Sequence, residues 1–463
     1  MIPLSIEQIA KITGANLDCV PDPAAVVTGP VVIDSREAGA GALFAALPGE
    51  RADGHDFAAD AAAAGAVVML GTRRTGTPAL LVADVPAALG SLARAVVDRL
   101  PGLVIAGITG SAGKTTTKDL AAQLIGSLGP TVSPQNSFNN EIGHPLTVLR
   151  AGEHTRYLIA ELSARGPGHI AALCRIAPPR LGVVLCVGNA HAGEFGGLTQ
   201  IAAAKAELPQ ALPADGVALL NADDPLVAAM AADTAARVVT FGRSADADVR
   251  ATAVSLDGLG RPSFTLNMPD GSAPVQLRLH GEHNVTNALA AAALAAQLGM
   301  DATALAAGLS AATAQSRWRM EVTERPDGVI VINDAYNASP EAVTAALAAL
   351  QVIAAGRPAY AVLGRMAELG ERSREFHEQA GTAAARCGLA GLIAVGDEAA
   401  PMLTGAKTVT GFSGELIGVP DGAAALTALG DRLRSGDVVL VKASRAAGLQ
   451  TIALALAAGE VAR

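Results

Sequence analysis

Short, wholly apolar runs separated by stretches of helical period recur along most of the chain. Residues 104–110 (VIAGITG), 157–164 (YLIAELSA), 181–188 (LGVVLCVG) and 216–224 (GVALLNADD) have this form. Continuous apolar strands, as opposed to alternating ones, suit a parallel sheet covered by helices on both faces. Between residues 249 and 280 the pattern changes to alternation broken by turn residues, which predicts a small antiparallel insert. The helix-rich GEHNVTNALAAAALAAQLG then closes this unit.

From about Gln315 the alternation starts again. GVIVINDAY, AYAVLGRM, LAGLIAVG and DVVLVKAS each end in a polar or glycine-bearing turn, as expected of a second α/β layer without a phosphate loop of its own. Before residue 100, IEQIAKITGA predicts a short helix stopped at Gly14, and VVIDSREAGAGALFAAL reads as strand, polar turn and strand. The chain is therefore expected to form three α/β domains: residues 1–100, a central parallel-sheet domain at 101–315 resembling a phosphate-loop ATPase, and a Rossmann-like domain at 316–463. A cleft between the second and third units is the natural place for a reaction that needs closure.

Composition narrows the function. The chain has 463 residues, 51% hydrophobic and 17% charged, enough apolar material for several cores. A net charge of −9 and 3% aromatic content argue against nucleic acid, because neither a basic track nor a stacking surface is present. Cys19, Cys174, Cys186 and Cys387 lie far apart, without metal-type or paired spacing, and read as reduced thiols of a cytoplasmic protein. The N-terminus lacks signal-peptide character, and the alanine-rich runs are too short to span a bilayer, so no membrane attachment is expected.

The clearest chemistry lies in GITGSAGKTTT. An apolar strand leads into Gly107, Gly110 and Gly113, then Lys114 and three threonines, then a helical pattern. Backbone amides of Gly110, Ser111, Ala112 and Gly113 can close around an anion at a helix N-terminus. Lys114 adds a point charge, and Thr115, next to Thr116, places a hydroxyl for magnesium. A general phosphate loop has glycine six residues before the lysine, where this chain has Ile108. Glu161 and His191 follow strand ends and are candidate metal ligands. Lys205 lies in the helical run IAAAKAEL, where a solvated lysine is the ordinary reading. Asn136, Asn139 and Asn140 form an amide-rich loop suited either to capping turns or to binding a polar substrate. In the first unit, Asp34-Ser35-Arg36 and the loop containing Asp53, Gly54 and His55 sit at strand ends, where ordinary turn chemistry is the default.

Taken end to end, these residues resemble the Mur ligases, ATP-dependent amide-bond-forming enzymes of peptidoglycan precursor synthesis. GITGSAGKTTT has that family's spacing, which accounts for Ile108. SFNNEIGHPLTVL resembles its branch that joins D-Ala-D-Ala to UDP-MurNAc-tripeptide. AHAGEFGG, AKAEL, NADDP, GEHNVTNALAA, DAYNASPEA, MAELGE with His377, and GDVVLVKAS follow in the family's order.

The resemblance implies that Lys114 and Thr115 hold ATP phosphates and a first Mg2+. Glu161 and His191 would bind metal, with a second ion shared with a carbamylated Lys205. Asn284 and Asn287 would lie by the adenine, with Arg319, Asp334, Tyr336 and Asn337 closing from the third domain. Ser35, Arg36, Asp53 and His55 would hold the UDP-sugar, and Asn136, Asn139 and Asn140 would contact substrate. Both substrates are small molecules, and the enzyme is expected to be a monomer. Cys186, Ser163, Asn333 and Arg365 depart from the family pattern. They leave open a related ligase using another acid and amine, or an ATP-binding protein that ligates nothing.

Overall fold

The computed structural model describes residues 1–49, 52–135, 137–189 and 192–460. Three large sheets, each with its own helices, divide the chain into three α/β domains, and a two-stranded antiparallel ribbon of Leu4–Ser5 and Val26–Val27 adds to the first. The central sheet has nine strands, and strand Val104–Thr109 lies between Tyr157–Glu161 and Leu181–Val184, parallel to both. After Val104–Thr109 the chain builds one side of that strand, then returns to build the other. Such a reversal opens a crevice beyond the carboxyl ends of the strands.

Strands 249–256, 262–268 and 271–276 pair antiparallel, as their alternation predicts. They extend the central sheet as its edge, since Val249 and Arg250 pair in parallel with Phe241 and Gly242. The third domain has a six-stranded sheet, parallel except for Glu321–Glu324 at its edge. The N-terminal sheet has five strands, with Asn16–Asp18 its one antiparallel member.

Local signals explain several boundaries. Helix Ile6–Thr13 opens with a capping box between Ser5 and Gln8 and stops at Gly14, which adopts φ 67°. Helix Val85–Asp98 starts at Asp84, whose carboxylate accepts from the amide of Ala87. That helix turns Leu89, Leu92 and Val96 into one core with Ile105, Val148 and Leu158. The N-terminal domain is thereby packed directly on the back of the central sheet. Among the described residues no helix is long and apolar enough to cross a membrane.

The buried helix Gly143–Val148 lies at this junction, and its His144 is only 1% exposed with no hydrogen-bond partner on either ring nitrogen among the described residues. Burial pushes its pKa down to about 4 from 6.5. Between those two values the unfolded chain binds a proton that the folded chain refuses, so stability falls as pH drops through this window. The expected loss is roughly 3 kcal/mol at the acid end. Urea denaturation of His144→Leu above and below the window should show a correspondingly flatter pH response than wild type.

Candidate active site

A cleft of about 1200 Å³ runs between the central and third domains. Its floor is the loop that follows strand Val104–Thr109. Gly110 adopts φ 155° and Gly113 φ 82°, and a Cβ on Gly113 would lie 2.3 Å from Asn287 Oδ1. Glycine at 113 therefore serves both the left-handed turn and the close approach of helix Asn284–Ala296. Lys114 opens helix Lys114–Gly126, and its Nζ donates to the carbonyl of Gly110 at 2.7 Å. Burial pushes its pKa below the ordinary lysine value, an effect opposed by the carboxylate of Glu161. Such a desolvated cation at a helix N-terminus is suited to phosphate oxygens.

Beside it, buried Thr115 donates its hydroxyl proton to Glu161 Oε2 at 3.0 Å and lies 2.9 Å from Ser137 Oγ. Asn139 Nδ2 donates to Glu161 Oε1 at 2.8 Å. Asn140 also lines the cleft, and its Oδ1 accepts from the amides of Ile142 and Gly143 just before helix Gly143–Val148. Asn140 thus makes the turn-type hydrogen bonds expected of the amide loop, and Asn139 buttresses Glu161. Arg319 reaches across from the third domain and donates to Thr115 Oγ1 and Ser137 Oγ, each at 2.9 Å. A guanidinium held by these hydroxyls shows that the corner accepts positive charge. Its hard oxygen set, Thr115, Ser137 and Glu161, fits Mg2+. No cluster of three or more His, Cys, Asp or Glu is found among the described residues.

Lys205 is buried, 6% exposed, and has no hydrogen-bond or ion-pair partner among the described residues. The solvated reading of this lysine therefore fails. Burial, reinforced by the charge of Lys114, pushes its pKa down to about 7. Cys186 lies close by, where its Sγ accepts from the amide of Ala112 at 3.4 Å, and burial raises its thiol pKa.

On the facing wall, Arg319 stacks on Tyr336 at 4.2 Å from the ring centroid. Its neighbours Trp318 and Met320 adopt φ 60° and 48°, a backbone conformation costly for bulky side chains. Asp334 accepts from the amide of Met320 at 3.0 Å and pairs with Lys442, whose Nζ also donates to the carbonyl of Asn337 at 2.9 Å. Asn284 and Asn287 are buried and linked, with Asn287 Nδ2 donating to Asn284 Oδ1 at 2.9 Å.

The structure therefore brings the phosphate loop, Glu161, Asn139, Asn140, the asparagine pair and the four third-domain residues onto one cleft. The N-terminal candidates do not line it. Arg36 is exposed and pairs with Asp34, while Ser35 begins the 3-10 turn Ser35–Glu37. His55 is engaged at both ring nitrogens, Nδ1 with Asp53 at 2.6 Å and Nε2 with the amide of Thr72 at 2.9 Å. Asn136 and His191 lie outside the described residues. Arg365 pairs with Glu398 at 2.8 Å and is not part of the cleft wall. Sequence reasoning did not single out Ser137, Lys442, Glu341 or Asn189, because each gains its meaning from partners distant in the chain.

Comparison with known proteins covers nearly the whole chain. Family models described as Mur ligase family, catalytic domain; Mur ligase middle domain; and Mur ligase, glutamate ligase domain match residues 30–97, 108–295 and 318–445. The UDP-N-acetylmuramoyl-tripeptide--D-alanyl-D-alanine ligase of Mycobacterium tuberculosis is 51% identical, covering 99% of both chains. A crystal structure of MurF from Acinetobacter baumannii superposes with TM-score 0.87 at 31% identity, covering 98% of this chain and 99% of that one. MurF from Thermotoga maritima in complex with ADP gives TM-score 0.78 at 30% identity, covering 94% and 98%.

Proposed function

The chain belongs to the Mur ligase family, and from that premise we propose that it joins D-Ala-D-Ala to UDP-MurNAc-tripeptide, forming UDP-MurNAc-pentapeptide for peptidoglycan synthesis. The observation that carries this reading is the meeting of Lys114, Thr115 and Glu161 with Arg319 across one closable cleft. Full-length similarity to ligases of that name supports the choice of substrates.

A carboxylate is a poor acylating agent, so the terminal carboxylate of the tripeptide first attacks the γ-phosphorus of ATP and ADP leaves. In this reading Lys114 and Arg319 meet the negative charge that gathers in this step. The amine of D-Ala-D-Ala then attacks the acyl carbon, its proton is lost, and inorganic phosphate departs with the former carboxylate oxygen. An acyl phosphate hydrolyses readily in water. The third domain, by covering the phosphate loop, keeps water from it.

Thr115 would hold a first Mg2+, Glu161 and His191 would bind metal, and a second ion would be shared with a carbamylated Lys205. These ions would supply neutralisation of phosphate charge. A buried lysine with no partner among the described residues and a pKa of about 7 supports the carbamate, because its neutral amine can add to CO2. Asn284 and Asn287 are read as the adenine side, and Asp334, Tyr336 and Asn337 as the third-domain side of the nucleotide. The N-terminal domain, with Ser35, Arg36 and the Asp53–His55 turn, is read as the UDP-sugar end, with Asp53 and His55 shaping the loop. Domain limits near residues 100 and 315 are supported by the three sheets, and use of ATP supports a cytoplasmic setting.

The test is phosphate release with the tripeptide acid, D-Ala-D-Ala, ATP, Mg2+ and bicarbonate, omitting each in turn, with the product identified by mass. Release should require acid, amine, ATP and Mg2+ together and fall when CO2 is removed. Release without either organic substrate, or a product formed only with another amine, would overturn the reading. Pairing of Arg365 with Glu398 away from the cleft favours D-Ala-D-Ala over a changed acceptor.

A further inference from the structure

Glu341 sits in the first turn of helix Pro340–Ala354 in the third domain, behind the capping residue Ser339. Its Oε1 crosses to the central domain and accepts two hydrogen bonds from Asn189, at 2.7 Å from the backbone amide and 2.9 Å from Nδ2. A Cβ on the preceding residue, Gly188, would lie 2.9 Å from the Glu341 carboxylate, so a larger residue there displaces that carboxylate. Gly188 is in turn bound to the phosphate loop. Its amide donates to Ser111 Oγ at 2.8 Å, and that hydroxyl donates to the Gly188 carbonyl at 3.1 Å. A continuous path of hydrogen bonds thus runs from the third domain, through the turn after strand Leu181–Val184, to Ser111 of the phosphate loop, whose backbone amide donates to the carbonyl of Cys186 at 2.9 Å. Glu341 Oε2 is buried with no partner among the described residues. A carboxylate held this way costs stability, so packing strength does not explain its position.

We propose that Glu341 is a positioning residue that couples closure of the third domain to the phosphate loop. When the domain closes, its carboxylate seats on the Gly188–Asn189 turn, and that turn braces Ser111 in the geometry needed for phosphoryl transfer. With the domain open the brace is absent, which restrains futile ATP hydrolysis. This inference rests on the ligase reading for its kinetic consequence, but not for its structural one.

The experiment compares wild type, Glu341→Ala, Glu341→Gln and Gly188→Ala in the full chain. Hydrogen exchange of the peptide spanning residues 110–114 is measured with a non-hydrolysable ATP analogue and Mg2+, alongside kcat, KM and Tm. Glu341→Ala should speed exchange in this peptide and lower kcat about 10- to 100-fold, with KM for ATP changed less than about threefold and Tm not reduced. Glu341→Gln keeps an accepting oxygen and should recover most of both. Gly188→Ala should resemble Glu341→Ala, and the double variant should be no worse than either, because one side chain removes what the other obstructs. Unchanged loop exchange in Glu341→Ala, or equal loss in Glu341→Gln with a lowered Tm, would overturn the proposal. If wild type fails to ligate, the ligase reading fails, while the exchange result still decides the brace.

Discussion

Replacing Lys114 by alanine is expected to lower acid- and amine-dependent phosphate release by at least about 10³-fold, the scale seen when a preorganised charge is removed from a transferring phosphoryl group. The expectation follows from how the ammonium is held. Its Nζ is anchored on the Gly110 carbonyl at the mouth of a helix, and burial makes its charge unfavourable until a phosphate arrives. A cation with its hydration already removed loses little on meeting the transition state. The same argument predicts the effect on folding. Because burial lowers the pKa of Lys114, its charge is a burden on the ligand-free fold, and Lys114→Ala should leave Tm unchanged or raise it. Steady-state kinetics and a thermal melt on the same sample check both. Loss of activity together with a lowered Tm would show that Lys114 is structural.

The phosphate loop was legible because its chemistry is local. Glycines, lysine and threonine act within one turn, and the strand before them is a continuous apolar run, so sequence order equals spatial order. The strands of the central and third domains were legible for the same reason, since burial on both faces leaves no polar interruption. Lys205 was not, because the alanines of helix Leu198–Gln210 give no polar face to contrast with a buried one. Helix Val85–Asp98 reads as amphipathic, but nothing in its period says that its apolar face is shared with Val148 and Leu158 of the next domain. Glu341 and Asn189 stand 152 positions apart, and their contact exists only after two domains meet. His55 follows the reading in which a loop at a strand end is ordinary turn chemistry, since its ring nitrogens pin the turn, Nδ1 to Asp53 and Nε2 to the amide of Thr72.

Arg319 is where the third domain enters the chemistry, and Arg319→Ala is expected to reduce kcat by about 10³-fold or more, as removal of a charge supplied across an interface does in other phosphoryl transfers. Its guanidinium spans two hydroxyls, Thr115 and Ser137, while its face lies on Tyr336. A lysine cannot do both, because an ammonium has no planar fork and no face to stack. Arg319→Lys should therefore recover little of the loss. Nucleotide affinity measured by calorimetry should fall far less than kcat, since the phosphate loop and the asparagine pair remain. The positive φ angles of Trp318 and Met320 sharpen the expectation. That backbone is held by the reach of Arg319 together with the bonds of the Met320 amide to Asp334 and of the Trp318 amide to Glu321, so Arg319→Ala should relax residues 318–320 in part and raise their hydrogen exchange. If kcat survives in Arg319→Ala, the third domain contributes only the amine and a cover against water, and the charge at the γ-phosphate is carried from the central domain alone.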